Sequence, residues 1–286
     1  MLNRRLAIVA VALLTPLAAW SVARGWWVKG HGSIAEAAAA GLPDDVPEFF
    51  RHGGSWLNHL AGDPDRWKNP STKYLRAAES PDHYINFEDL KGHKLPADRY
   101  KYATLLTRLD VSPEKAGMLP YAIMEHYERL ACAFYDLRAE PDNPAIRAKC
   151  LVYAGALSHF TGDVAMPLHV THNYDGRPDA AGKFVQKGIH AKVDGFPETH
   201  GITPAQISHD LKAKKIDDVW AHVLQAIDES YQQIEKTYEL DAAGAFETPT
   251  AESREFILGR CRIGAQLTMD LWYSAWLRSA DMPPPY

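Results

Sequence analysis

The sequence is poor in cysteine. Its 286 residues include only three, Cys132, Cys150 and Cys261. Their spacing matches no cysteine pattern that holds structural zinc, and three thiols allow at most one disulfide within the chain. These observations exclude a disulfide-rich scaffold and a cysteine-ligated zinc site, and we expect buried free thiols.

An excess of positive charge is also absent. The chain has 31 Lys and Arg residues against 36 Asp and Glu residues, which gives a formal net charge of -5 at pH 7. A protein with this balance has no general electrostatic attraction for nucleic acid or for an anionic membrane surface. Phosphate binding must therefore be local or depend on metal ions, for which the 13 histidines supply candidate ligands.

The apolar run at the N-terminus, Leu6–Trp20, is too short for an ordinary membrane-spanning helix, which needs about 20 apolar residues. Two arginines precede it, and the small residues Ala23 and Gly25 occupy the -3 and -1 positions of a cleavage site before Trp26. This pattern predicts a signal peptide over residues 1–25 and a secreted or periplasmic mature protein. An uncleaved membrane anchor is the alternative interpretation.

Strand-like alternation of apolar and polar residues is almost absent. Apolar residues instead recur at helical spacing in Ile34–Ala40, Ala97–Leu109, Tyr121–Ala139, Pro144–Asp163, Asp217–Leu240 and Ala251–Arg278. Segments rich in proline, glycine and aspartate predict loops at 41–45, 62–72, 79–96, 170–189 and 194–204. No internal repeat or linker divides the chain, so we predict that residues 26–286 form one all-α domain, a helical bundle with long loops.

The most informative motif is HFTGDVAMPLH, residues 159–169. His159 and Asp163 are four residues apart, so on a helix both side chains leave the same face and can share one metal ion. Pro167 ends or bends that helix, and His169 can then face a neighbouring metal. For a single pair of this kind, a solvated ion pair is the ordinary alternative.

A second motif, IHAKVD at residues 189–194, repeats the same spacing with His190 and Asp194. With His169, the two motifs supply five candidate ligands. Neutral imidazoles and carboxylates suit zinc, and a zinc site with open coordination positions is catalytic. The repeated spacing favours a metal site over two independent ion pairs.

A third element is WWVKGH, residues 26–31, at the predicted mature N-terminus. Cleavage before Trp26 frees an α-amine whose pKa is low enough for it to lose its proton to a metal near neutral pH. The amine and the carbonyl of Trp26 can chelate one ion together, and His31 can complete that site. The alternative is an aromatic plug beside an ordinary histidine.

With these motifs the sequence resembles the superfamily of bacterial zinc-dependent phospholipases C and of single-strand-specific zinc nucleases from fungi and plants. The matching positions are Trp26, Gly30 and His31 at the N-terminus, His159, Asp163, Pro167 and His169 in the centre, and His190 and Asp194 later. The segment GAQLTMDLWYSAW, residues 264–276, is similar to the last helix of the family. The span from His83 to His159 is longer than in either branch and predicts an additional helix or a lid.

The resemblance implies an all-α domain with a trinuclear zinc site. The implied ligand sets are Asp65, His83, His159 and Asp163 for the first ion, Trp26, His31 and Asp163 for the second, and His169, His190 and Asp194 for the third. It also implies hydrolysis of phosphodiesters by metal-activated hydroxide, with Asp163 as the bridge and with Asp65 orienting the attacking water. Asp63 and Asp82 are alternatives to Asp65.

The sequence leaves the substrate open. The spacing from Trp26 to His31 and the presence of Lys68 favour a nuclease acting on single-stranded nucleic acid or nucleotides. The residues flanking His190 favour a phospholipase C, and a non-catalytic helical zinc-binding protein is a third possibility. Lys68 is a candidate clamp for a phosphate oxygen and Tyr84 a candidate stacking residue, against the alternatives of a solvated lysine and a packing tyrosine. No stable protein partner is implied, and we expect a monomer.

Overall fold

The structure, a computed structural model, describes residues 26–284. Its helices are α1 (Val28–Ala40), α2 (Glu48–Arg51), α3 (Gly54–Leu60), α4 (Asp63–Trp67), α5 (Lys73–Glu79), α6 (Arg99–Leu109), α7 (Pro113–Ala116), α8 (Leu119–Ala139), α9 (Pro144–Ala165), α10 (Ile189–Thr199), α11 (Pro204–Ser208), α12 (Val219–Tyr231), α13 (Ile234–Ala242) and α14 (Ala251–Arg278). Three 3-10 turns occupy Ser80–His83, Phe87–Leu90 and Pro167–His169. One short antiparallel pair, β1 (Arg177–Pro178) and β2 (Phe184–Val185), is the only sheet within residues 26–284.

The predicted all-α fold class is thus confirmed, and the described residues form one compact domain. The predicted signal peptide, residues 1–25, lies outside the described residues. Within residues 26–284, none of the helices combines the length and the apolar character that a membrane span requires.

Helix α9 lies at the centre of the domain. It packs against α8 and α14 along its length and also contacts α1 and α3. Every residue of its second half, 154–165, is buried. A helix that is buried on all sides belongs to the interior of a protein, so the central motif is held inside the core.

Local sequence signals define the ends of α9. The side chain of Asn143 accepts a hydrogen bond from the backbone N–H of Ala145, and Pro144 occupies the first turn, where its missing N–H costs nothing. At the other end, Met166 has an extended backbone because it precedes Pro167. The chain then forms the 3-10 turn Pro167–His169, so His169 lies outside α9.

Several of the predicted element boundaries are wrong. The predicted loop 62–72 contains α4, and α1 begins at Val28 rather than at Ile34. The segment Asp217–Leu240 is two helices, α12 and α13, because the chain turns at Gln232 and Gln233. The segment 194–204 is not all loop, since α10 continues to Thr199 and passes through Pro197. Pro197 is buried and packs beside Gly30 of α1, so tertiary packing overrides the helix-breaking tendency of proline.

The three cysteines are free thiols. Cys150 and Cys261 are buried, as expected. Cys132 is exposed, because it lies on the outer face of α8.

Candidate metal centre

The inner face of α9 presents His159 and Asp163 one turn apart, and both side chains are fully buried. The two carboxylate oxygens of Asp163 face different neighbours. Oδ1 lies 3.4 Å from Nε2 of His31, and Oδ2 lies 3.1 Å from Nδ1 of His83. A carboxylate with its two oxygens directed at two groups of ligands can bridge two cations.

The first group of ligands contains Asp65 from α4, His83 from the turn Ser80–His83, and His159. Nε2 of His159 is 2.9 Å from Nδ1 of His83. Nδ1 of His159 lies 2.8 Å from the carbonyl oxygen of Ala61. Because a carbonyl can only accept, Nδ1–H is the donor, and in the neutral imidazole Nε2 carries the lone pair that faces the cluster.

The second group contains His31, His159 and Asp163. His31 reaches the group from α1, and its ring stacks on that of His159 with 3.8 Å between the ring centroids. A glycine at position 162 makes this approach possible, because a Cβ there would lie 2.8 Å from Nδ1 of His31.

The third group contains His169, His190 and Asp194. Nε2 of His190 is 3.2 Å from Oδ2 of Asp194, one helical turn along α10. Nδ1 of His169 lies 2.9 Å from Oδ1 of Asp163, so the third group adjoins the second. The carboxylate of Asp175 accepts N–H bonds from Gly188 and His190, which fixes the first turn of α10.

Trp26 lies beside the second group. Its side chain is fully buried, and its indole Nε1 donates a hydrogen bond of 2.9 Å to the carbonyl of Gly162, the residue before Asp163. The α-amine that the sequence predicts as a ligand arises only on cleavage before Trp26, so this role stays a prediction.

The three candidate aspartates upstream of His83 differ in their surroundings. Asp65 is nearly buried and belongs to the first group. Asp63 pairs with Arg66 at 2.6 Å, and Asp82 lies 3.3 Å from Nη2 of Arg99. Of the three, only Asp65 is brought to the histidines in the part of the chain that the structure describes.

The two predicted substrate-binding residues have different environments. Lys68 is largely buried, and its Nζ lies 2.7 Å from Oδ1 of Asp65, at the edge of the first group. Tyr84 donates its hydroxyl hydrogen to the carbonyl of Glu114, and burial raises its pKa to about 12. The hydroxyl of Tyr84 is therefore engaged in a hydrogen bond with α7.

Sequence reasoning missed Tyr174. Its ring is 48 % exposed and meets the ring of His190 edge-on, with 5.6 Å between the centroids. The loop position gave no periodic signal, and only its place five residues after His169 relates it to the central motif. An exposed ring in contact with a candidate ligand is available to a bound substrate.

Burial dominates the pKa of two histidines of the cluster. It lowers the pKa of His31 to about 4 and that of His83 to about 3. These imidazoles are therefore neutral near pH 7, which is the form that binds metals. Burial, together with the charges of Asp163 and Asp65, raises the pKa of Asp194 well above its usual range.

Asp163 behaves in the opposite way. Burial alone would raise its pKa, but attraction and hydrogen bonding to the imidazoles of His159 and His169 in their protonated forms outweigh burial and hold the pKa well below its usual range. The shared carboxylate therefore favours the ionised form, whereas the surroundings of Asp194 favour its neutral form in the absence of a cation.

Unpartnered polar atoms test whether the residues fit a metal. Both ring nitrogens of His31 and both carboxylate oxygens of Asp194 are buried without a hydrogen bond of ordinary geometry. Buried polar atoms are almost always paired, and each unpaired atom carries a desolvation cost. Nitrogen and oxygen atoms that converge in this way can hold metal ions, and neutral imidazole with carboxylate is a donor set that zinc accepts.

A comparison with protein-family models gives no match, and no curated protein matches the chain. The functional conclusion must therefore be drawn from the geometry of the cluster and from the sequence motifs.

Proposed function

We propose that the protein is an exported zinc-dependent hydrolase that cleaves phosphodiester bonds in single-stranded nucleic acid or nucleotides. The observation that carries this proposal is the adjacency of three buried ligand groups around one carboxylate, Asp163. Structural zinc sites are usually isolated and fully coordinated by the protein. Adjacent groups with few ligands each are typical of multinuclear hydrolytic centres, which leave positions open for water and substrate.

Three ions would be held by different ligand groups. Asp65, His83, His159 and Asp163 would hold the first ion. His31, Asp163 and the α-amine of Trp26 would hold the second. His169, His190 and Asp194 would hold the third.

Zinc ions at such a centre lower the pKa of a coordinated water and offset negative charge on phosphate oxygens. The protein supplies the remaining functions. Asp65 accepts a hydrogen bond from the attacking water and orients it towards phosphorus. Lys68 pairs with Oδ1 of Asp65 at the edge of the first group, where it can bind a phosphate oxygen as a point charge. The enclosure of Asp163 keeps bulk water away from the shared carboxylate and so strengthens its interaction with the cations.

An exposed aromatic side chain at this centre suits a nucleobase. Tyr174 offers an exposed ring next to His190. Every nucleobase has a π face that can stack on such a ring, and the interaction contributes about 1–3 kcal/mol per base. The quaternary ammonium of a choline headgroup can bind the same ring by a cation–π contact, so the choice of nucleic acid rests on the spacing from Trp26 to His31 and on Lys68, and the activity panel tests it.

The test is an activity panel with mature protein purified without chelators. The substrates are single-stranded DNA, RNA, 3′-nucleotides and phosphatidylcholine, each with and without chelator, and elemental analysis gives the metal content. We expect about three zinc ions per chain and chelator-sensitive hydrolysis of the nucleic acid substrates. Hydrolysis of phosphatidylcholine alone would replace the nuclease with a phospholipase C. Full zinc content without hydrolysis of any substrate would show a non-catalytic metal protein.

A further inference from the structure

A basic groove of about 390 Å³ lies along α6, outside the metal centre. Its charged lining residues are Lys94, Lys101 and Arg108, with His93 beside them, and half-buried Pro96 and Leu105 supply its apolar part. No acidic residue lines it. In a protein with a net charge of -5, this is a local reversal of the charge.

The cations of the groove are not neutralised within the domain. Lys94, Lys101 and Arg108 form no ion pair with any carboxylate among residues 26–284. Neighbouring lysines differ, since Lys91 donates to the carbonyl of Leu109 and Lys115 pairs with Asp89 at 3.0 Å. Lys101 and Arg108 are two helical turns apart, so they lie on one face of α6 and project along the groove together.

An exposed aromatic ring borders the groove. Tyr100 is 81 % exposed, and it lies one turn before Thr104, which lines the groove. The hydroxyl of Thr104 bonds back to the carbonyl of Tyr100, so it is not itself free to bind a ligand strongly. A positively charged groove with an adjacent exposed aromatic ring is the combination that binds single-stranded nucleic acid, in which cations follow the backbone and rings stack on bases.

Helix α6 is attached to the metal centre through its first residue. Nη2 of Arg99 lies 3.3 Å from Asp82, and Asp82 precedes His83 of the first ligand group. The groove therefore lies along a helix whose first residue contacts the segment that supplies His83. Helix α6 lies within the unusually long span between His83 and His159, for which the sequence predicts an additional element.

We propose that this groove binds the phosphate backbone of a single-stranded nucleic acid, as a second contact surface for the substrate. This inference rests on the proposed function, because the bound strand would be the substrate of the metal centre. It favours nucleic acid over phospholipid as that substrate. A membrane is the weaker candidate because a flat anionic surface would face a protein with a net charge of -5, whereas a single strand can contact the groove alone.

The experiment compares Lys94→Glu/Lys101→Glu with the matched control Lys212→Glu/Lys214→Glu, which changes the net charge equally at exposed lysines elsewhere. Stopped-flow anisotropy of a labelled oligothymidylate measures binding to the zinc-loaded protein before hydrolysis proceeds. Each phosphate contact contributes about 0.7 to the slope of log K against log salt. We expect the groove variant to bind more weakly and its slope to fall by about 1.4, while the control keeps the wild-type slope.

Two further binding measurements identify the ligand of the groove. Tyr100→Ala should weaken binding of the single strand and leave binding of a duplex of the same length unchanged, because paired bases cannot stack on the ring. Vesicles containing phosphatidylglycerol should bind the wild type and the groove variant equally. Vesicle binding that depends on the groove, without strand binding, would overturn the choice of nucleic acid.

Hydrolysis of bis(p-nitrophenyl) phosphate separates the groove from the catalytic centre, because this small diester does not reach α6. We expect equal rates in the wild type and both double variants. Equal strand binding by the wild type and the groove variant would refute the proposal that the groove binds nucleic acid. If strand binding depends on the groove but the protein hydrolyses no phosphodiester, the proposed role of the groove would stand and the proposed function would be refuted.

Discussion

Replacing Gly162 with alanine tests whether the core is built to hold the ring of His31 against α9. At an unconstrained helical position, this change stabilises a protein by about 1 kcal/mol, because alanine has the higher helix propensity. At position 162 the added Cβ would lie 2.8 Å from Nδ1 and 3.2 Å from Cε1 of His31. Since overpacking of a core costs about 1–3 kcal/mol, we expect a net loss of up to about 2 kcal/mol in the free energy of unfolding.

A matched control is available at Gly259 on α14, where a Cβ would meet no atom within 4 Å. Gly259→Ala should gain about 1 kcal/mol. Both variants are unfolded in denaturant with and without chelator, and their metal content is measured. Gly162→Ala should also lose metal from the second group, because the imidazole of His31 is displaced. Equal stabilisation and equal metal content in the two variants would refute the role assigned to His31.

Two other predictions concern the ligands themselves. Asp163→Ala should lower kcat/KM by more than about 100-fold, which is the upper range for changes to residues that only support metal ligands, and should reduce both the metal content and the melting temperature. The control is Asp63→Asn, which alters a carboxylate paired with Arg66 and should keep the metal content. Near-normal turnover in Asp163→Ala would contradict the bridging role of Asp163. One extra residue before Trp26 converts its α-amine to an amide, a very poor ligand, so zinc content and rate should fall together relative to protein that begins at Trp26. Equal zinc content and equal rate in the two forms would remove Trp26 from the site.

The long helices could be predicted because their signals are local. The bounds of α14 agree with the sequence prediction, and those of α8 and α9 agree within two residues. The same periodicity identified the pairs His159–Asp163 and His190–Asp194, since helical spacing alone brings their side chains to one face.

The start of α1 could not be predicted from propensity. The glycines at positions 30 and 32 argue against a helix, so the sequence predicts one only from Ile34, whereas α1 begins at Val28. The structure explains Gly32 by packing, because a Cβ there would lie 2.5 Å from Oδ1 of Asn58 on α3. A close approach between helices is a tertiary constraint, and it cannot be predicted from the local sequence pattern.

The choice among the upstream aspartates also required the fold. The three candidates, Asp63, Asp65 and Asp82, all lie in segments without strong periodicity. Each precedes His83 in the sequence, so order along the chain does not distinguish them. Only the docking of α4 against α9 directs Asp65 towards His159. The spacing of residues in the sequence predicts contacts within one helix, but it does not predict contacts between separate segments.

The ligand groups draw on segments that extend from His31 in α1 to Asp194 in α10, and the three thiols of the described chain form no disulfide. The first and second ligand groups join segments that are far apart in the sequence, so neither can form before the chain has brought its helices together. At the proposed centre, binding of the first two ions would therefore follow the association of these helices. An ion held by His31 and Asp163 would tie α1 to α9 as a covalent cross-link does, so metal binding should slow the local opening of α1.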